Sequence, residues 1–389
     1  MVINRGVENK KLKLKTDSEL KEIMQLFLKL GFTAFGGPAA HIAMMRDEVV
    51  VKRKWLTEQH FLDLIGAVNL IPGPNSTEMT MHIGHERGGW KGLVIAGICF
   101  ILPAVLITGI FAWFYKVYGQ LPEVQPFIYG IKPAIIAIIL AAVFPLAKRS
   151  FKSTELALLG LAVLILSLLQ INEIWLMFGA GFIAIFLAGI RNKTGKQTNG
   201  FFPIAFLPLT GLTAVSVSNM SLFLIFLKVG SILYGSGYVL FAFLDTELVS
   251  TGLINRQQLI DAIAVGQFTP GPVFSSVTFI GYQINGWQGA VVATVGIFLP
   301  SFLFVALLNP FVKKMRNSKL FSVFLDAVNV AAVAIIISVC YEMGKDSIND
   351  WRTVLIAVIS LGLTFGLRKI NSAFIVLGGA LLGYLLSLI

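Results

Sequence analysis

The chain has 389 residues, a net charge of +11, 56% hydrophobic and only 13% charged residues, and a mean hydropathy of +0.81. Apolar runs of about 20 residues recur along its length, enough to cross a bilayer as helices, which excludes a water-soluble globular protein. The basic residues fall in short clusters between these runs, a pattern that orients loops at a membrane and argues against a nucleic-acid surface.

In chain order, residues 1–21 form a polar, basic tail with no apolar core, so no cleavable signal peptide is expected and the tail is assigned to the cytoplasm. Residues 22–45 are apolar but contain Lys29, the break Phe35-Gly36-Gly37-Pro38 and His41. A charged loop follows, with Arg46, Asp47, Glu48 and Lys54. Residues 61–85 are interrupted by Pro72-Gly73-Pro74, with Asn75, Ser76, Thr77 and Glu78 directly after it. Residues 90–118, 127–147, 153–169 and 174–190 read as ordinary spans, and 201–218 as an extra span. Two broken segments then return, at 221–243 and 258–283. The second holds Pro270-Gly271-Pro272, followed by Val273, Phe274, Ser275 and Ser276. Spans at 287–310, 320–341, 351–367 and 372–388 complete the chain. Cys99 and Cys340 both lie in apolar spans, where a free thiol behaves as a small hydrophobe, so neither a disulfide nor a zinc site is expected.

Proline ends the helix before it and suits the first turn of the next, so each Pro-Gly-Pro should leave a half-helix N-terminus inside the membrane. Such an end offers unpaired N–H groups and the positive pole of the helix dipole to an anion.

The two halves match residue by residue. Phe27, Leu28, Lys29 and Gly31 recur as Phe226, Leu227, Lys228 and Gly230, Gly36 as Gly235, and Gln59 and Asp63 as Gln257 and Asp261. Gly84, Gly89, Trp90, Gly92, Val94, Ala96, Leu102 and Pro103 all reappear between Gly281 and Pro300, too many identities for shared hydropathy alone. Loop charge sets the relation between the halves. Arg87 and Lys91 precede the span 90–118, whereas the equivalent turn at Asn285–Gln288 is uncharged and the basic residues Lys313, Lys314, Arg316 and Lys319 follow the span. The equivalent spans therefore point in opposite directions. The expected fold is an all-α polytopic membrane protein of two inverted-topology repeats with broken helices. Its parts are a basic tail (1–21), an N-terminal repeat (22–200), a linking membrane segment (201–219) and an inverted C-terminal repeat (220–389). Counting each broken element as one crossing gives about 13 membrane segments; re-entrant elements would lower the number, and both arrangements stay open. The cytoplasmic (inner) membrane is the expected location, with the N-terminus inside and the C-terminus outside.

The Phe35-Gly36-Gly37-Pro38 break, the two Pro-Gly-Pro triplets, the Gly-Trp-x-Gly turns at 89–92 and 286–289 and the two-half layout together resemble the chromate ion transporter (CHR) family. The resemblance runs from Leu26 nearly to the end. It implies chromate efflux across the bacterial cytoplasmic membrane driven by the proton gradient, with sulfate as a look-alike ion.

The residues themselves agree with an oxyanion. A dianion stripped of water needs convergent N–H and O–H donors, and inverted repeats commonly bind substrate where their broken helices meet near the midplane. Asn75, Ser76 and Thr77 on one side, and Ser275 and Ser276 on the other, supply such donors, with Gly36, Gly37, Gly73, Gly235 and Gly271 allowing close approach. The same motifs would also serve if they only shaped tight packing and the hydroxyls bonded back to their own helices. Lys29 and Lys228 either compensate the charge of the dianion or snorkel to an interface. Glu78, with no lysine or arginine within seven residues, and Asp326 are candidates to carry a coupling proton; either could instead be a solvated residue at a span end. His82, His85 and Glu86 do not complete a zinc site, and no Gly-rich nucleotide motif is present, so no metal, cofactor or catalytic residue is expected. The expected partners are chromate, sulfate as an alternative, protons and the lipid bilayer, with no nucleic acid; a homodimer is left open. A secondary transporter and not an enzyme is the reading, with a membrane enzyme or translocase acting on phosphorylated lipid as the alternative.

Overall fold

The structure, a computed structural model, describes residues 2–35, 37–192, 218–234, 237–308, 318–366 and 371–389. The linking segment expected at 201–218 lies outside the described residues except for Ser218. The first repeat comprises α1 (Val2–Thr33), α2 (Gly37–Arg46), α3 (Glu58–Val68), α4 (Asn75–Tyr118), α5 (Gln125–Ser150), α6 (Thr154–Leu168) and α7 (Glu173–Asn192). The second comprises α8 (Asn219–Ile232), α9 (Val239–Leu244), α10 (Arg256–Phe268), α11 (Ser276–Leu308), α12 (Lys319–Ser347), α13 (Trp351–Gly366) and α14 (Ser372–Ser387). Each helix of one repeat has its counterpart seven places on. Even the π-helical turns correspond, Asp47–Lys52 after α2 and Asp245–Val249 after α9.

Local sequence explains where these helices begin. Thr57, Ser153, Ser218 and Ser318 each accept a backbone N–H of the first turn that follows, and Asn255 forms a reciprocal cap with Gln258. Inside α4 the helix is broken at Gly88 and Gly89, and inside α11 at Asn285 and Gly286. Gly89 (φ 59°, ψ −149°) and Gly286 (φ 60°, ψ −149°) hold nearly identical backbone that a side chain would strain, which is why the Gly-Trp-x-Gly turn occurs twice. The chain doubles back there: a Cβ on Gly84 would strike the Gly92 carbonyl and lie 2.5 Å from the Ala96 Cβ, and Gly281 meets Gly289 and Ala293 in the same way.

The Pro-Gly-Pro segments are hairpin tips and not mid-span kinks. His60, near the start of α3, lies 3.2 Å from Glu86, which stands just before the α4 break. The two limbs therefore run antiparallel, and 58–87 enters and leaves from one end of the bundle as a hairpin. The same end holds Arg87, 3.1 Å from Glu22 on α1, and Trp55, with the Arg53 and Arg87 guanidiniums 5.7 Å and 5.2 Å from its ring centroid. So α1 and α2 also form a broken pair whose outer ends meet there.

From Trp90, α4 runs for roughly 43 Å at ~1.5 Å per residue to the opposite end. At that end the Tyr129 hydroxyl donates to Asp350, between α12 and α13, and the Thr246 hydroxyl donates to Glu173 at the start of α7. Hydrogen bonds from Tyr129 and from the Thr353 N–H hold the Asp350 carboxyl below the usual carboxylate range. Arg256, which opens α10, is 3.2 Å from Asp346 at the same end. The base of the second hairpin thus lies opposite the base of the first, and the repeats are inverted. They also interlock: α5 packs on α12, α13 and α14, while α12 packs on α5, α6 and α7, so each repeat closes its core with the other's last two helices. Among the described residues five helices are long and apolar enough to cross a membrane, α4, α5, α7, α11 (with the turn before it) and α12, and four shorter apolar ones accompany them.

Inversion has a direct readout at two exposed, equivalent positions just past the turns, Lys91 and Gln288. With Cys99 and Cys340 removed, single cysteines at 91 and 288 should react with a membrane-impermeant maleimide from opposite sides of the membrane. Labelling of both from one side would contradict the inverted arrangement.

Candidate substrate site

Both tips are held by the same device. The Gly73 N–H donates to the Leu233 carbonyl at 2.8 Å, and the Gly271 N–H donates to the Ala34 carbonyl at 2.8 Å. Leu233 and Ala34 are equivalent residues, each just past the broken end of its repeat's first helix. Every tip therefore docks on the helix end of the opposite repeat and satisfies a carbonyl that would otherwise be stranded in the apolar interior. Gly73 (φ 134°) and Gly271 (φ 91°) adopt backbone that disfavours any side chain, so the glycine between the prolines is a conformational requirement.

Beyond the tip, the Thr77 and Glu78 N–H groups turn back to the Pro74 carbonyl at 2.8 and 3.1 Å. The amides of Asn75 and Ser76 are left as the unmatched donors of this helix start. Thr77 and Glu78 are completely buried, and the Thr77 hydroxyl has no hydrogen-bond partner within the protein. Ser301 of α11 is equally buried, and its hydroxyl is the polar neighbour of the Glu78 carboxyl. Its hydroxyl and a Glu78 carboxyl oxygen crowd the same side of Gly73, where a Cβ would overlap the carboxyl and lie 2.6 Å from the hydroxyl. Tyr234, in the broken segment after α8, is within electrostatic reach of Glu78. The first tip therefore brings a buried carboxyl group and a buried hydroxyl together beside a helix N-terminus, with the unpartnered Thr77 hydroxyl in its first turn.

The other expected site residues fall into three groups. Ser76 is buried beside the tip, and Asn75 is engaged with Asn69 at 2.8 Å. At the second tip, Ser276 is buried and unpartnered, while Ser275 lies 3.3 Å from the Thr108 hydroxyl. Gly37 opens α2, and Gly36 and Gly235 lie outside the described residues. Lys29 and Lys228 stand apart from the tips: Lys29 is 3.1 Å from Glu48 and Lys228 is 2.6 Å from Glu247. These are equivalent ion pairs that tie each first helix to its π-helical turn, so Glu48 and Glu247 correspond. Asp326 is 2.7 Å from Lys152, bridging the starts of α6 and α12. The structure thus gathers the Pro-Gly-Pro followers and leaves the lysines and Asp326 in separate ion pairs.

Sequence reasoning missed Ser301 and Tyr234, although both carry a signal. Aligning the halves sets Ser301 against Ala104 and Tyr234 against Phe35, each a polar group gained at a position that is apolar in the other repeat. It missed a buried cluster as well: the Tyr115 hydroxyl donates to Asp261 at 2.6 Å, with Lys132 as the facing cation.

The chromate transporter family model matches residues 21–185 and again 220–384, one match per repeat. The chain belongs to the chromate transporter family. It is 31% identical to a chromate transport protein of Cupriavidus metallidurans over 94% of this chain and 92% of that one. It is 30% identical to a probable chromate transport protein of Synechococcus elongatus over 94% and 95%. A Bacillus subtilis relative, the uncharacterized transporter YwrA, aligns over 91% of its own length with 41% of this chain at 24% identity, about the span of one repeat. No solved structure matches the chain.

The tip geometry of the transporter makes a stability prediction. Gly73→Ala forces a methyl against Glu78 and Ser301 at a φ that alanine resists, and should cost upward of about 1–3 kcal/mol. Gly66→Ala, in α3 with no atom within 4 Å of the added carbon, should be close to neutral. Thermal unfolding of the detergent-purified protein, compared across the two variants, checks the contrast.

Proposed function

We propose that this chain is a secondary transporter that exports chromate across the cytoplasmic membrane, taking the oxyanion at the first Pro-Gly-Pro tip and carrying a coupled proton on Glu78. The observation that carries the reading is the set of fully buried polar groups at that tip: the Thr77 hydroxyl, which has no partner in the protein, and the Glu78 carboxyl, whose polar neighbour is the Ser301 hydroxyl. A folded protein rarely leaves such a hydroxyl unpaired, because it costs the desolvation it is not repaid for, and a ligand that completes it is the economical explanation. A tetrahedral dianion fits the donors on offer. The Asn75 and Ser76 amides point along the helix axis with the dipole behind them, and the hydroxyls approach from the side. Sulfate has the same shape and charge and is the natural competitor.

Family membership supports chromate as the ion, since two relatives that match nearly end to end are described as chromate transport proteins. The inverted, interlocked repeats support alternating access, with the docked tips as the parts that separate when the site opens to one side or the other. The basic residues Lys148, Arg149 and Lys152 stand at the end of the bundle that holds Arg53 and Arg87, which supports a cytoplasmic position for that end and an outside position for the C-terminus.

Export appears as uptake in everted membrane vesicles. Vesicles bearing the chain should accumulate labelled chromate above those lacking it, to an extent that changes with the imposed pH gradient. Glu78→Gln should lower that accumulation at least tenfold, and Ser301→Ala should weaken affinity by roughly ten- to a hundredfold, the worth of one hydrogen bond to a charged group at about 1.5–3 kcal/mol. Vesicles that take up no more chromate than those lacking the chain would sink the proposal, and turnover of a phospholipid instead would favour action on phosphorylated lipid.

A further inference from the structure

The two tips share a scaffold but not a chemistry. Glu78 occupies the position of Ser276, Ser301 that of Ala104, and Tyr234 that of Phe35. The first tip thus has an acid, a hydroxyl and a phenol where the second has a hydroxyl, a methyl and a phenyl ring. At these three exchanged positions the titratable groups are all on the first tip, while the second docks at Ala34 beside the buried His41. On the same helix the buried His82 stands one turn beyond Glu78; Ser301 is the polar neighbour of the carboxyl, and Tyr234 is the titratable group that faces it from the other repeat.

This arrangement fixes how an anion and a proton interact here. An oxyanion at the Asn75 and Ser76 amides lies within about one turn of Glu78 on the same helix. If Glu78 is ionised, its charge and that of the dianion repel one another in a buried site. If Glu78 is protonated, the repulsion is gone and the carboxyl becomes an O–H donor that can join Thr77 and Ser301 in completing the shell around the ion. Proton and anion therefore favour each other's binding, and by reciprocity each raises the other's affinity. A cation in place of Ser301 would have reversed the sign, holding Glu78 ionised in the empty site and setting the two ligands in competition.

We infer that the oxyanion and the proton occupy the first tip together and cross the membrane in the same direction, one proton accompanying each dianion. The inference rests on the transport reading above and goes further by assigning the sense of coupling: the ions travel as a pair and are not exchanged. Each cycle then moves one net negative charge, where exchange against a proton would move three.

The test uses the full-length chain in proteoliposomes loaded with chromate at alkaline pH, where the ion is a dianion, with the membrane potential clamped by potassium and valinomycin and a pH-sensitive dye in the lumen. As chromate runs out of the wild-type vesicles, the lumen should turn alkaline, by about one proton lost per chromate released. The reversal potential should report one net negative charge per ion. In Glu78→Gln, whatever chromate flux remains should carry no proton and should report two charges per ion. A lumen that turns acidic as chromate leaves means exchange and overturns the inference while leaving chromate transport intact. A proton-to-chromate ratio unchanged in Glu78→Gln overturns it too. Wild-type vesicles that release no chromate above the protein-free control reject the transport reading, and the pairing with it, so the two failures are told apart.

Discussion

The fold turns on one hydrogen bond made twice, from the amide of the glycine between two prolines to the last carbonyl of a broken helix in the other repeat. In the interior of a bilayer an unpaired backbone group has no water to turn to, so a chain that ends a helix there must supply a partner from elsewhere in the protein. Here each half supplies what the other lacks. The prolines remove two donors and set the tight turn, and the glycine keeps one donor and adopts the backbone that aims it. Breaking either bond would strand a donor and an acceptor together, which is why the tips and the broken ends of α1 and α8 form a single unit.

Interlocking follows from the same exchange. Because α5 gathers α13 and α14 of the other repeat and α12 gathers α6 and α7, neither half closes a core alone. In this chain the partner is covalently attached. The two halves are then free to diverge, since a change in one need not appear in the other.

The repeat, its inversion and the importance of the Pro-Gly-Pro segments were legible in the sequence, because prolines in apolar runs and basic clusters between them report directly on backbone hydrogen bonding and on orientation. The hairpin at 58–87 was not, since it depends on a contact between His60 and Glu86 that hydropathy does not encode. The lysines misled for a related reason. Lys29 and Lys228 stand out in apolar stretches, but their partners Glu48 and Glu247 sit 19 residues away across a break and a π-helical turn, and only the folded chain brings them within 3.1 and 2.6 Å. Ser301 and Tyr234 were readable in principle. A reader who compares the halves for differences, and not only for identities, finds both.

That comparison also separates the work of the two hairpins. The second is pinned along its length by Asp261, a buried acid held by Tyr115 of α4 at 2.6 Å and faced by Lys132 of α5, so moving it would expose or strand a charge inside the membrane. Its counterpart in the first hairpin, Asp63, is only partly buried and sits on a limb tied at its base by the solvent-accessible contact of His60 with Glu86. Surface contacts of that kind are worth little and yield readily, whereas breaking a buried charged cluster is costly. The hairpin that carries Glu78 is thus the one held by weaker ties away from its tip.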